Sequence, residues 1–337
     1  MSTKYLVCTL LGGLALAQVP TASAASLTNS AIQLPFSRPQ QLVDIGGRRL
    51  NLYCSGSGSP TVIFDSPSTD GGWSWYAVQP EVAKHSRACV YDRAGLGFSD
   101  PSPLPGTSSN AVNDLHTLLN KAGIAPPYVL VGNSYGGANV QLYTWRYPAE
   151  VKGLVLAEPH HEDDKTRLNL ASQGKIKQFQ DMMDEMGKNC LSQAEQGFAP
   201  NSEAWANCTG GIQAGYSREL AAAHLAVEIS PVYWRAAFSE NSNGDLNDAD
   251  LRPARRGFGD IPLIVLTRSI SPYAQPGKPQ SALNKTVENE NRAIHQSVAA
   301  LSTRGSERVI PGAGHVIQMD KPEAVVKAVA EVLEQAK

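Results

Sequence analysis

Several things are scarce in this sequence of 337 residues, and each scarcity closes off a class of function. After the first 24 residues no apolar run approaches the ~20 residues of a membrane-spanning helix, which excludes a bundle of spanning helices. No cluster of Lys and Arg resembles a phosphate-tracking patch, and the formal net charge is only −2. No nucleic-acid partner is therefore expected. No Cys-x-x-Cys pair occurs, which argues against a zinc site. Charged residues make up only 18% of the chain, against 42% hydrophobic ones, a balance that excludes disorder over most of its length.

The N-terminus reads as an export signal. Lys4 supplies a positive start, Tyr5 to Ala17 an apolar run, and Ala22-Ser23-Ala24 the small residues of a cleavage site before Ala25. The run is too short to serve as a stable membrane anchor. Cleavage after residue 24 would remove Cys8 and leave Cys54, Cys89, Cys190 and Cys208. An even number of cysteines suits two disulfides in a secreted or periplasmic protein. Four cysteines allow three pairings. Cys190 with Cys208 is favoured because both fall in one region, which leaves Cys54 with Cys89.

Residues 25–40 are rich in Ser and Pro and are expected to run over the surface. Beyond them, Gln41–Ile45 and Arg49–Tyr53 flank Gly46-Gly47 as a hairpin would. Short apolar runs then recur at Thr61–Phe64, Ala88–Tyr91, Tyr128–Val131 and Val151–Leu156, each fit for a strand buried on both faces. Helical stretches alternate with them. Trp75–Lys84 is one; Ala111, Leu115, Leu118, Leu119 and Ala122 mark a second; Gly136–Tyr147 is a third, stopped before Pro148. The order implies an α/β fold with a mostly parallel central sheet and helices on both faces. From 160 to about 258 the chain is polar and helical in character, with no strong strand. Strand signals return at Leu263–Leu266 and Glu307–Ile310, and helices at Asn284–Leu301 and Pro322–Glu334. The reading is one core, 25–159 plus 259–337, with a helical cap inserted at 160–258.

Gly132-Asn133-Ser134-Tyr135-Gly136 lies between an apolar strand and a helix. A serine there occupies a sharp turn with its hydroxyl projecting above the sheet edge, and larger residues two positions away would collide as the chain reverses. A bare Gly-x-Ser-x-Gly arises by chance in about one chain in ten of this length; the strand-then-helix setting sharpens the signal. Serine needs a base to be nucleophilic at neutral pH. Of the seven histidines, His315 stands on the Gly-rich loop Pro311-Gly312-Ala313-Gly314, between the last strand and the last helix. His85, His116 and His295 fall in helical stretches and read as structural.

These pieces, with Tyr91-Asp92-Arg93-Ala94-Gly95-Leu96-Gly97-Phe98-Ser99, resemble the α/β-hydrolase-fold serine hydrolases over most of 42–158 and 261–335. The resemblance implies Ser134 as nucleophile, His315 as base and an oxyanion hole built from backbone N–H groups, Tyr135 after the nucleophile and Ser68 in the loop Asp65–Thr69. The chain departs from many relatives by carrying Asn133 where they have His, and Ser66-Pro67 where they have His-Gly. It also lacks a carboxylate in Thr267–Tyr273, where many relatives place the triad acid. Other members place it one strand earlier, where this chain has Glu158; Asp163 is the second choice. His160-His161-Glu162-Asp163-Asp164 lacks helical i, i+4 ligand spacing, so no metal is expected. Trp73, Trp75 and Tyr76 suit either an acyl pocket or the core. The expected function is hydrolysis of a small carboxylic ester or lactone through an acyl-enzyme, without a cofactor. Cleavage of an amide, peptide or carbon–carbon bond by the same residues is the alternative, and a non-catalytic binding protein a more distant one.

Overall fold

The computed structural model describes residues 30–209, 215–274 and 277–336. The stretch read as an export signal lies outside them. Eight strands form one sheet: β1 (Gln41–Asp44), β2 (Arg49–Ser55), β3 (Thr61–Asp65), β4 (Ala88–Tyr91), β5 (Tyr128–Asn133), β6 (Val151–Ala157), β7 (Leu263–Arg268) and β8 (Gly305–Ile310). Their spatial order is β1-β2-β4-β3-β5-β6-β7-β8. β1 and β2 pair antiparallel, as do β2 and β4; every later pairing is parallel. The hairpin turns where Gly46 and Gly47 both take positive φ, and Asp44 Oδ1 accepts both of their N–H groups at 2.8 and 2.9 Å.

Alternate residues of the central strands serve two separate cores. Ile63, Leu130, Leu154, Leu156, Leu263 and Val265 face one side, with Val112, Leu115, Leu118 and Leu119 of α1 (Ser108–Lys121) and Leu142 of α2 (Tyr135–Arg146). Val62, Phe64, Val129, Val131, Val155 and Leu266 face the other, with Trp73, Trp75 and the last helix. The continuous apolar runs of the sequence follow from this double burial.

Between β6 and β7 the described residues form α3 (Asp164–Ala171), α4 (Lys175–Gln196), α5 (Glu203–Cys208), α6 (Arg218–Glu228), α7 (Pro231–Ser242) and α8 (Gly244–Ala254). α3, α4 and α7 line a cavity together with Glu158, which follows β6. α8 returns to the core, where Leu251 joins the side occupied by α1 and α2. α9 (Ala282–Ala299) and α10 (Pro322–Gln335) complete the layers. Among the described residues no helix is long and apolar enough to cross a membrane.

Two expectations change. Trp75–Lys84 is not one helix but a 3-10 turn, Gly72–Trp75, followed by the short turn Gln79–Val82. Pro80 has no N–H to give and fits only a first helical turn, so it restarts the helix. Nor does the described part of 25–40 simply skirt the surface. Phe36 is buried edge-on against Tyr53, and the buried Gln33 donates to Gly215 O at 2.8 Å and accepts from Ser217 N–H at 2.6 Å.

Disulfides join Cys54 to Cys89, across neighbouring β2 and β4, and Cys190 to Cys208, tying α4 to α5. The second closes a separation of 18 residues. Restricting the unfolded chain by a loop of this size stabilises by about 3 kcal/mol. Cys190→Ser with Cys208→Ser should therefore move the urea midpoint down by that equivalent; an unchanged midpoint would show that the cap is held by packing alone.

Candidate active site

Strand β5 ends at Asn133 and α2 begins at Tyr135, so one residue, Ser134, makes the whole reversal. It takes φ 53° and ψ −117°, a conformation that persists only where the surroundings over-determine it. They do so here. The Ser134 N–H donates to Ala157 O at 3.1 Å, and its carbonyl accepts from His160 N–H at 3.0 Å and Ala138 N–H at 3.2 Å. The nearby glycines are required by contact. A Cβ on Gly132 would lie 2.4 Å from Gly136 O, and one on Gly136 would lie 2.3 Å from Asp65 O.

Asn133, the departure from the family pattern, joins the elbow to the histidine loop. Its Nδ2 donates to Ala157 O at 2.8 Å and to His315 O at 3.1 Å, and its Oδ1 accepts from Gln318 at 3.3 Å. The loop is pinned further where Ala313 O accepts the N–H groups of Ser269 and Ile270 and where Gly314 N–H donates to Asp320 at 2.7 Å. His315 is thereby set over the strand ends, part exposed, with Nδ1 3.3 Å from Glu158 Oε2. That is just beyond the 2.6–3.2 Å of a tight catalytic hydrogen bond, and such bonds are often long before substrate binds.

Glu158 follows β6 directly, at φ 47°, and is buried. Its Oε1 accepts from the Arg268 N–H at 2.7 Å and from Asn291 at 3.4 Å, and lies 3.7 Å from His295 Nδ1. Its Oε2 pairs with the Arg268 guanidinium. Burial pushes this carboxyl up. The hydrogen bond with His315 and the charge of Arg268 outweigh burial and hold it at about 2. Arg268 is held in turn by Glu288 at 2.9 Å. Asp163, the second-choice acid, is half-exposed and pairs with Arg252 at 2.6 Å, on the outside of the site.

Ser68, Ser134, Tyr135, Glu158 and His315 all line one cavity of about 420 Å3 between sheet and cap. Leu168, Ile176, Phe179 and Tyr273 give it an apolar wall. The Tyr135 N–H, at the first position of α2, has no intrahelical acceptor. The Ser68 N–H makes no hydrogen bond within the described residues. Two residues that line the cavity with Ser134 thus carry backbone donors without a partner among the described residues, and such donors can stabilise an oxyanion.

The tryptophans did not form an acyl pocket. Trp73 and Trp75 are buried among core residues, and Tyr76 packs on Tyr216; none of the three lines this cavity. The core, the other of the two roles the sequence left open for them, is the one Trp73 and Trp75 take. His295 does lie in a helix, as read, but it also lines the cavity, with Nδ1 2.9 Å from Thr267 Oγ1. His161, Glu162 and Asp163 bring ligand atoms within 4.8 Å of one another. Glu162 and Asp163 already face Arg255 and Arg252, which makes this a poor setting for a cation.

A family model described as "Alpha/beta hydrolase family" matches residues 54–328. The Bacillus subtilis protein YbdG, itself uncharacterized, is 29% identical over 116 residues, 34% of this chain and 36% of that protein. A 2-hydroxy-6-oxo-2,4-heptadienoate hydrolase of Pseudomonas putida is 32% identical over 119 residues, 34% of this chain and 43% of that enzyme. The matches thus span less than half the length of these relatives. Among solved structures, the epoxide hydrolase CorEH superposes with a TM-score of 0.59 at 15% identity, covering 88% of this chain and 98% of that one. An esterase from Thermogutta terrifontis gives 0.55 at 18%, covering 89% and 99%. At such identities the structural likeness is one of fold.

His160 closes the cap onto this site. Its ring lies 3.2 Å from Asp164 of α3 and 2.8 Å from Asp248 of α8. Burial alone would lower its affinity for a proton; the bonds to Asp164 and Asp248 outweigh it and raise the group from 6.5 to about 10. Its stabilising contribution is therefore complete below pH 6.5 and is lost as pH rises through about 10. The difference in Tm between the protein and His160→Asn should be largest near pH 6 and shrink toward pH 10. A difference that is constant with pH would show that His160 is not charged in the folded state.

Proposed function

The chain belongs to the alpha/beta hydrolase family, and from that premise we propose that it is a serine hydrolase cleaving a carboxylic ester or lactone through an acyl-enzyme on Ser134. The observation that carries the proposal is Ser134 on its strained turn, in one cavity with His315, whose Nδ1 lies 3.3 Å from the buried Glu158. In this reading His315 Nε2 takes the proton of Ser134 Oγ as the oxygen attacks the substrate carbonyl. The oxyanion that forms accepts from the N–H groups of Tyr135 and Ser68. Collapse expels the alkoxide, which leaves with the proton held by His315. Water then attacks the acyl carbon as His315 takes one of its protons; the second oxyanion collapses, the bond to Ser134 Oγ breaks, and His315 returns the proton to that oxygen as the acid leaves. Glu158 holds the imidazole in the required tautomer and offsets its transient charge. The apolar wall of Leu168, Ile176 and Phe179 suits a hydrocarbon part of a small substrate.

A second reading, cleavage of a carbon–carbon bond beside a carbonyl, is favoured by one observation, the similarity to the Pseudomonas putida hydrolase. We further infer an oxidising compartment, secreted or periplasmic, from the two disulfides.

Hydrolysis of p-nitrophenyl esters, lactones, anilides and vinylogous diketones of graded acyl length tests these readings against each other. Esters or lactones should turn over fastest; a preference for diketones would favour the second reading. With the best substrate, Glu158→Gln should stay folded and lose roughly 10²–10⁴ in kcat, while Asp163→Asn should lose far less. Equal losses in the two variants would remove Glu158 from its assigned role.

A further inference from the structure

The loop that carries Ser68 is held in place by a residue of the cap. Arg93, from the Tyr91–Ser99 stretch, is buried and reaches under this loop. Its Nη1 donates to Asp65 Oδ1 at 2.6 Å and Ser66 O at 2.7 Å, and its Nη2 donates to Pro67 O at 2.7 Å. The other side of the guanidinium meets Glu240 of α7, also buried. Nε donates to Oε1 at 2.6 Å and Nη2 to Oε2 at 3.0 Å. Glu240 Oε2 accepts one more bond, from the Thr69 N–H at 2.8 Å. Thr69 sits at φ 65°, in the left-handed region that a non-glycine residue enters at a cost.

The carbonyls of residues 66 and 67 and the N–H of residue 69 are therefore fixed to one buried Arg–Glu pair, and Ser68 is the residue between them. Its N–H is free, and the peptide plane that aims it is set by neighbours on both sides. We propose that Glu240 is a positioning residue for the reaction: the cap, through Glu240, holds Thr69 in its left-handed conformation and so aims the Ser68 N–H at the oxyanion. The cap would then set the rate of the chemical step as well as access to it. A cap moved outward carries Glu240 away from Thr69 and relaxes the loop, so that the donor is complete only when the cap is seated.

This inference rests on the acyl-enzyme reading above, and the experiment keeps the two apart. Glu240→Asp retains the charge that Arg93 needs but is one methylene too short to bond Arg93 and Thr69 together. Glu240→Gln retains the length and the Thr69 bond but weakens the pairing with Arg93. Each variant is compared with the unaltered protein for kcat and KM on the best ester, for affinity toward an alkyl boronic acid that forms a tetrahedral adduct, and for Tm. Loss of an oxyanion donor outright costs about 10²–10³ in kcat; a donor left in place but loosely aimed should cost less. The expected result for Glu240→Asp is a fall in kcat of roughly 10- to 100-fold with KM within about twofold, and a parallel fall in boronate affinity. Glu240→Gln should fall less than Glu240→Asp. A purely structural role would lower Tm and leave kcat of the folded fraction and boronate affinity unchanged, and that result overturns the inference. If Glu240→Asp does not fold, Glu240→Gln decides by the same kcat and boronate readings. If the unaltered protein forms no boronate adduct and turns over no ester, the acyl-enzyme reading itself fails, and the inference falls with it.

Discussion

The one-residue reversal at Ser134 is the constraint on which the rest of the site depends. A buried strand and a buried helix meet there with no loop between them, so the end of β5 passes α2 at backbone contact, where only glycine at 132 leaves room, and α2 passes the end of β3 as closely, where only glycine at 136 does. That contact fixes more than the serine. It brings the first N–H groups of α2 to the sheet edge, where the helix dipole favours negative charge. It also ties β6 to the elbow, through Ala157 O and the His160 N–H. Because β6 is tied there, Glu158 leaves the strand at a fixed distance from the histidine loop, and Asn133 holds the other end of that distance by bonding His315 O.

Around this turn the molecule buries Asp65, Arg93, Glu158, Glu240 and Arg268. Glu158 with Arg268 and Glu288, and Arg93 with Asp65 and Glu240, are both networks in which a buried arginine has carboxylates on two sides. Breaking such a pair leaves an uncompensated charge in a medium that cannot solvate it, which costs about 3–5 kcal/mol. The two networks are rigid for that reason. One holds the carboxylate behind the imidazole; the other holds the loop beside the serine. Arg268 lies where many relatives place the acid itself, so a cation at the end of β7 here secures a carboxylate at the end of β6.

The fold was largely legible in the sequence because apolar runs buried on both faces carry a plain signal, and because Gly46-Gly47 and the glycines around Ser134 answer local needs. Ser134, Glu158 and His315 could be picked out for the same reason: each sits at a strand end or turn whose local pattern is visible. The missed partners are of another kind. Arg93 and Glu240 are separated by 147 positions, and Glu158 and Arg268 by 110. A local pattern can single out one member, as it does Glu158 at its strand end, but it does not say which distant residue that member meets; only the folded chain brings the two together. The turn restarted by Pro80 shows the opposite failure, where a helical pattern was over-extended past a residue that could not continue it.

The chemistry proposed for this site requires Ser134 Oγ to be the atom that becomes acylated. The tryptic peptide from Ala122 to Arg146 contains Ser134 as its only serine, so mass spectrometry after treatment with a fluorophosphonate reads the site directly. One phosphonyl group per chain on that peptide, at Ser134, and none in a chain carrying Ser134→Ala, is the predicted result. Labelling of a different peptide, or of the alanine variant to the same extent, would contradict it.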